Sequence, residues 1–234
     1  MDDASLAHHL QGRFIVFDGP DGAGKSTQLT LLADRLTTGG ADVVCCRDPG
    51  GTTIGDRIRS VLLDFDLSTM DVACETMLFM ASRAQLVAEV VRPAMNLRRT
   101  VLCDRFVTAT CAYQGAAGYD VRRVIDLAGF AIGDTWPAVT LVLDVDADEG
   151  FARIAQTPAP RRKRRARPGP ASGPSAGATP DAMEARPIEF HRRVRERFLE
   201  LHETYPAPIV VLDGRGDVET VHHRVLECLG RVTF

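Results

Sequence analysis

Gly19-Pro20-Asp21-Gly22-Ala23-Gly24-Lys25-Ser26 sets two glycines five residues apart and follows the second with a lysine and a hydroxyl residue. This is the spacing G-x-x-x-x-G-K-[ST] of a loop that wraps phosphate. Glycines let the backbone curl until successive N–H groups point inward at phosphate oxygens. A helix N-terminus behind the loop adds positive potential. Lys25 can then reach the β- and γ-phosphates of a nucleoside triphosphate, and the Ser26 hydroxyl can bind Mg²⁺. Of the 28 basic residues only Lys25 and Lys163 are lysines. A chain that otherwise uses arginine has put lysine where a slim point charge is wanted among phosphates. The competing reading of these residues is an ordinary tight turn between a strand and a helix.

Other groups have chemical potential of their own. Arg47-Asp48-Pro49-Gly50-Gly51-Thr52 is a polar, turn-rich loop after an apolar run. Open α/β sheets put ligands at such strand ends, although a plain turn fits the residues as well. Glu75, Phe79 and Arg83 lie four apart, hence on one helix face. An aromatic ring followed one turn later by a guanidinium can stack on a flat base and bond its edge. Spacing alone favours a core phenylalanine beside a solvated arginine. Asp104 ends the apolar run 100–104 and is either a second nucleotide-site acid that helps hold Mg²⁺ or a helix cap. Arg105 follows at once, then Thr108, Thr110, Tyr113 and Gln114.

The elements that must position these groups alternate regularly. Residues 13–17 form an apolar strand, and Leu29, Leu32, Ala33 and Leu36 mark one face of the helix after the phosphate loop. Further strands are expected at 41–46, 100–104, 139–145 and 208–212. Helices are expected at 54–63, from a cap at Asp71 to about Val91 with a stop near Pro93, and at 120–132, 146–154, 188–205 and 218–229. Five strands alternating with helices predict an α/β fold: a parallel sheet with helices on both faces, three layers in all. Such a sheet puts the phosphate loop, Arg47, Asp104 and the 213–216 turn along one edge.

Residues 157–187 break the pattern. They hold seven of the chain's 13 prolines and the run Arg161-Arg162-Lys163-Arg164-Arg165-Ala166-Arg167. Such a segment cannot build a core. Alone, the run reads as a nucleic-acid patch or a solvated tail; beside a phosphate loop it reads as a lid whose arginines approach a transferring phosphoryl group. With 234 residues, the chain suits one domain plus this lid. The net charge of −3 gives no global attraction to nucleic acid or acidic membranes. Six cysteines lack metal-site spacing, which suits a reducing cytoplasm, and neither a signal region nor a run of transmembrane length is read.

Taken together, the chain resembles the bacterial-type thymidylate kinases, within the P-loop nucleoside monophosphate kinases. The resemblance rests on Phe17-Asp18-Gly19 through Thr27-Gln28, Arg47-Asp48-Pro49-Gly50-Gly51-Thr52, Phe79-Met80-Ala81-Ser82-Arg83-Ala84-Gln85, Asp104-Arg105-Phe106, Ala112-Tyr113-Gln114-Gly115 and Leu143-Asp144-Val145. It covers nearly the whole chain outside the lid. It implies transfer of the ATP γ-phosphoryl to thymidine monophosphate with Mg²⁺, by a homodimer; composition and charge add the expectation of a cytoplasmic protein with no membrane partner and against a nucleic-acid one. It implies that Gly19, Pro20, Asp21, Gly22, Ala23, Gly24, Lys25, Ser26 and Thr27 hold ATP, and that Ser26 and Asp104 hold the metal. Phe79 would stack on thymine, Arg83 bond its edge and Gln114 lie beside it. Arg47 and Arg105 would hold the acceptor phosphate, Asp21 would sit by the sugar 3′-hydroxyl, and Tyr113 would crowd the 2′ position.

Five positions depart from the family pattern: Thr108 and Ala109 replace an Asp-Ser pair, Ala182 replaces a lid arginine, Ala23 fills a loop slot that holds arginine in some members, and Ala138 replaces an acid. The cation at the transferring group must then come from Arg153 or the 161–167 run, which makes Lys25, Arg105 and Arg153 the expected catalytic set. The acceptor is already a phosphate oxyanion, so no general base is expected. Two other readings stay open: a kinase for another nucleotide or nucleoside, or a catalytically impaired nucleotide-binding protein that docks nucleic acid through its basic lid.

Overall fold

The computed structural model describes residues 1–64, 70–156, 183 and 185–234. Strands β1 (Phe14–Asp18), β2 (Val43–Arg47), β3 (Thr100–Asp104), β4 (Val139–Asp144) and β5 (Ile209–Asp213) form one parallel sheet in the order β2-β3-β1-β4-β5. The helices in chain order are α1 (Asp3–His9), α2 (Lys25–Thr38), α3 (Thr53–Asp64), α4 (Val72–Leu86), α5 (Arg92–Asn96), α6 (Val107–Ala116), α7 (Val121–Ile132), α8 (Ala147–Gln156), α9 (Ile188–Glu200) and α10 (Val218–Arg231).

Side chains alternate across the pleat, so each central strand feeds two cores. Ile15, Phe17, Leu102, Leu141 and Leu143 pack under α1, α2 and α10. Phe14, Val16, Val101, Cys103 and Val142 pack under α4, α6, α7 and α9. Both faces of the sheet are covered, which is why β1, β3 and β4 read as continuous apolar runs. The register pairs Phe17 and Arg47 with Asp104, and Asp144 with Asp213, so the carboxyl ends of the five strands line up along one edge. That alignment is the one expected from the sequence, and it collects the polar groups of the site.

Four elements differ from expectation, and one is α6, which was given no element in the sequence although its Thr108, Thr110, Tyr113 and Gln114 were singled out. α1 was given no element in the sequence; Asp2 caps it by accepting from the Ser5 amide at 2.8 Å, and Leu6, Ala7 and Leu10 are buried against α2. The long helix does not stop at Pro93. It passes through a π-helical turn at Val87–Val91, and α5 resumes with Pro93 in its first turn, where a missing N–H leaves no bond unmade. The helix expected at 188–205 is α9 followed by a short 3₁₀ turn, Leu201–Glu203.

Candidate active site

The phosphate loop runs from the end of β1 into α2. Gly22 and Gly24 hold φ of 74° and 89°, and Gly24 caps α2 without a side-chain bond, so the first amides of the helix face outward unclaimed by a cap. A Cβ on Gly22 would strike the Gly150 carbonyl, so α8 closes down on the loop only because position 22 has no side chain. Lys25 is buried and crosses the inside of the loop, its Nζ donating to the carbonyls of Gly19 at 3.2 Å and Pro20 at 2.7 Å. Burial lowers its pKa to about 8, helped by Arg105 and opposed by Asp21, Asp104 and Asp18. Ala23 is buried in the core beneath the loop, so no charge comes from that slot.

Ser26 Oγ donates to Asp104 Oδ2, joining the start of α2 to the end of β3. Among the described residues no group of three or more His, Cys, Asp or Glu side chains is arranged to hold a metal ion by itself. One hydroxyl plus one carboxylate suits a hard cation that keeps water and takes its other ligands from phosphate, as Mg²⁺ does. Arg47 shares a shallow depression with Ser26 and Asp104, with its guanidinium 3.7 Å from Asp56. Thr27 and Arg153 line a second depression beside Gly22, Gly24 and Lys25. There Arg153 donates to the Gly214 carbonyl at 3.1 Å and pairs with Glu149.

Arg105 ties the end of β3 to the phosphate loop. It holds φ of 67°, a left-handed conformation that costs about 1 kcal/mol or more outside glycine and that clusters at working sites. Its amide still donates to Phe17 at 2.9 Å, extending the sheet pairing. The turned side chain donates Nη1 to the Gly19 carbonyl at 3.1 Å and meets Asp18 at 3.3 Å, while Nη2 pairs with Asp21. Tyr113 OH donates to the other Asp21 oxygen at 2.6 Å. Burial pushes the Asp21 carboxyl up, but Arg105, Lys25 and the Tyr113 hydrogen bond outweigh it and hold it below its ordinary value. Asp18 is wholly buried and accepts from the Gly19 amide at 2.9 Å and from Thr108 Oγ1 at 2.6 Å. Thr108, one of the departures, therefore clamps the carboxylate that steadies Arg105.

Beyond Arg105 opens a cleft lined in part by Asp21, Arg59, Phe79, Arg83, Tyr113 and Gln114. The spacing of Phe79 and Arg83 resolves opposite to its simplest reading. Arg83 is 1% exposed and Phe79 is half-buried with its ring on the cleft. The Arg83 guanidinium donates through Nε to Asp48 at 2.7 Å and through Nη2 to the Phe106 carbonyl and Thr110 Oγ1, each at 3.0 Å. Gln114 donates Nε2 to buried Glu75 at 3.1 Å.

The structure thus gathers Asp21, Phe79, Arg83, Arg105, Tyr113 and Gln114 in one place and sets Lys25, Ser26, Thr27, Asp104 and Arg153 beside it. Arg47 lies outside the cleft, and Arg59, which sequence reasoning passed over, lies in it and donates to the Pro49 carbonyl at 2.9 Å. The 161–167 run, Ala182 and Glu184 lie outside the described residues. Asp18 and Asp48 stand within the quoted motifs, Glu75 on the Phe79–Arg83 face and Thr108 among the departures, yet none was given a part; only burial and partners reveal their roles.

A family model described as thymidylate kinase matches residues 17–167. The thymidylate kinase of Syntrophotalea carbinolica is 40% identical over 213 residues, covering 91% of this chain and 92% of its own. That of Pelobacter propionicus is 40% identical over 216 residues, covering 92% of each. The crystal structure of thymidylate kinase from Ehrlichia chaffeensis superposes with a TM-score of 0.68 at 28% identity, covering 94% of this chain and 99% of that one. With this fold, this phosphate loop and these relatives, the chain belongs to the thymidylate kinase family.

Proposed function

We propose that two nucleotides lie end to end across Arg105, ATP over Gly19 to Thr27 and thymidine monophosphate in the cleft of Phe79. The protein is a nucleoside monophosphate kinase that phosphorylates thymidine monophosphate to the diphosphate. The observation that carries the proposed geometry is the Arg105 side chain, which touches the phosphate loop at Gly19 and the cleft at Asp21. Phosphoryl transfer through a loose transition state needs alignment and charge neutralisation more than covalent chemistry. Arg105, locked by Asp18 and Asp21, is placed for the acceptor phosphate, and Arg47 and Arg59 stand at the flanks of that site. Asp21, held ionised, is an acceptor for the sugar 3′-hydroxyl. Burial pushes the Tyr113 phenol up, so it remains a donor to Asp21 and a wall against a 2′-hydroxyl. Lys25 and Arg153 serve the donor phosphates. Ser26 and Asp104 would hold Mg²⁺, which would supply charge neutralisation for the donor phosphates.

A coupled assay with ATP across the pyrimidine and purine monophosphates tests this reading. Thymidylate should give the highest kcat/KM; equal or better turnover of cytidylate or uridylate would reject the cleft assignment.

The reading extends to one domain over residues 1–234, with 157–187 as its lid, and to a homodimer in the cytoplasm. All six cysteines are free thiols, as suits that compartment. No described helix is long and apolar enough to cross a membrane. Ile54 and Val61 on α3, Met77 on α4 and Phe130 on α7 are exposed, Phe130 at 93%, and α4 packs against both α3 and α7. Large side chains of this kind on adjoining helices mark a face that a second copy can cover. Phe130→Glu should shift sedimentation from dimer to monomer at micromolar concentration; an unchanged dimer would place the interface elsewhere.

A further inference from the structure

Gln114 lines the cleft, and its Oε1 is buried with no partner among the described residues. Its other end is fixed. Glu75, with its side chain 3% exposed, accepts from Gln114 Nε2 at 3.1 Å through one oxygen and from Arg186 Nη2 at 2.8 Å through the other. These three residues come from three places in the chain: α4, α6 and the stretch just before α9. An ionised carboxylate only accepts, so the amide that meets it must present its NH₂ group. The opposite end of that amide is then an acceptor. Arg186 supplies the counter-charge that pairs with this buried carboxyl group.

We propose that Glu75, held by Arg186, is a positioning residue that sets pyrimidine choice by fixing which end of the Gln114 amide faces the cleft. Arg83, which offers donors only, and Gln114, which offers an acceptor, form a donor–acceptor pair across the cleft floor. The edge of thymine shows the complement: an O4 acceptor beside an N3–H donor. Cytosine shows an amino donor beside a bare N3 and meets like against like at both points. A buried polar group left facing its own kind is what gives a site strong discrimination. The inference rests on the cleft being the pyrimidine site, and it adds to that reading two residues that touch no nucleotide.

The test is steady-state kcat/KM for thymidylate and deoxycytidylate, on wild type and on Glu75→Gln. The wild-type ratio alone decides whether the cleft reads thymine, so that reading can fail separately. In Glu75→Gln either amide can donate, Gln114 is free to turn, and the thymidylate preference should fall about 10-fold or more. The loss should come mainly from a raised KM for thymidylate, with kcat within about threefold. The exchange Glu75→Gln with Gln114→Glu restores an acceptor-only group at 114 and should bring the preference back. Arg186 is partly exposed, so Arg186→Met should fold even where Glu75→Gln does not, and should move the ratio the same way by about threefold. Equal losses on both substrates, a fall in thermal stability with an unchanged ratio, or an exchange that restores nothing would overturn the proposal.

Discussion

Lys25→Met should lower kcat for thymidylate phosphorylation by about 10³-fold while thymidylate affinity stays within about threefold, since losing one preorganised charge at a transferring group has effects of that size. The separation follows from geometry. Lys25 Nζ sits inside the phosphate loop against the carbonyls of Gly19 and Pro20, and the cleft of Phe79, Arg83 and Gln114 is lined without it. Binding and turnover therefore report different halves of the site. Wild type should carry a matching pH signature. Burial lowers the Lys25 pKa to about 8, and a polyphosphate prefers the charged amine. Below pH 8 the amine is already charged and affinity for ATP is flat in this respect. As pH rises through 8, a proton must be taken up on binding, and affinity falls by at most tenfold per unit. Calorimetry in buffers of different ionisation enthalpy would see that uptake. Lys25→Met removes the amine and should remove the uptake; an uptake that survives the substitution would assign it to another group.

Much of this arrangement is legible before folding because local rules act at short range. The phosphate loop depends on glycines at fixed offsets, so Gly22 and Gly24 declare themselves in the chain and hold positive φ in the fold. Asp104 is legible because a buried parallel strand must end at the ligand edge. Other parts are silent for physical reasons. α6 is buried almost all round with small residues, Thr108, Thr110, Cys111 and Ala112, so it has no polar face to set a 3.6-residue period. The π-helical turn before Pro93 depends on packing, and no residue type announces it. Arg59 is one arginine in a chain rich in them. The pairing of Glu75 with Arg186 spans 111 positions and appears only when α4 meets the stretch before α9. Phe79 and Arg83 show the limit of periodicity, which puts two residues on one face but not which of them is covered. Asp48, thirty-five positions earlier, decides that by drawing the guanidinium inward.

Arg83→Met should destabilise the fold by about 3–5 kcal/mol near pH 8, the usual result of stranding one partner of a buried ion pair. Asp48 is 2% exposed, its Oδ1 has no partner among the described residues, and its other oxygen takes the Arg83 bond. Burial already pushes the Asp48 carboxyl up, with Arg83 the main force against it. Without Arg83 the carboxyl rises further and takes up a proton in the folded state. The folded variant then binds more protons than its unfolded chain at every pH between the ordinary carboxylate value and the raised one. Stability therefore falls as pH climbs through that window, by up to about 1.4 kcal/mol per unit. The deficit of Arg83→Met should be smallest near pH 4–5 and largest near pH 8. Asp48→Asn placed on top of it removes the charge, and the double variant should be more stable than Arg83→Met alone at pH 8. Urea unfolding of the four proteins at both pH values measures the coupling directly. A deficit independent of pH, or a double variant no better than the single one, would mean that Arg83 matters for its packing on Phe106 and not for its charge. In either case the proposed site predicts a raised KM for thymidylate, because the same guanidinium that satisfies Asp48 also lines the cleft.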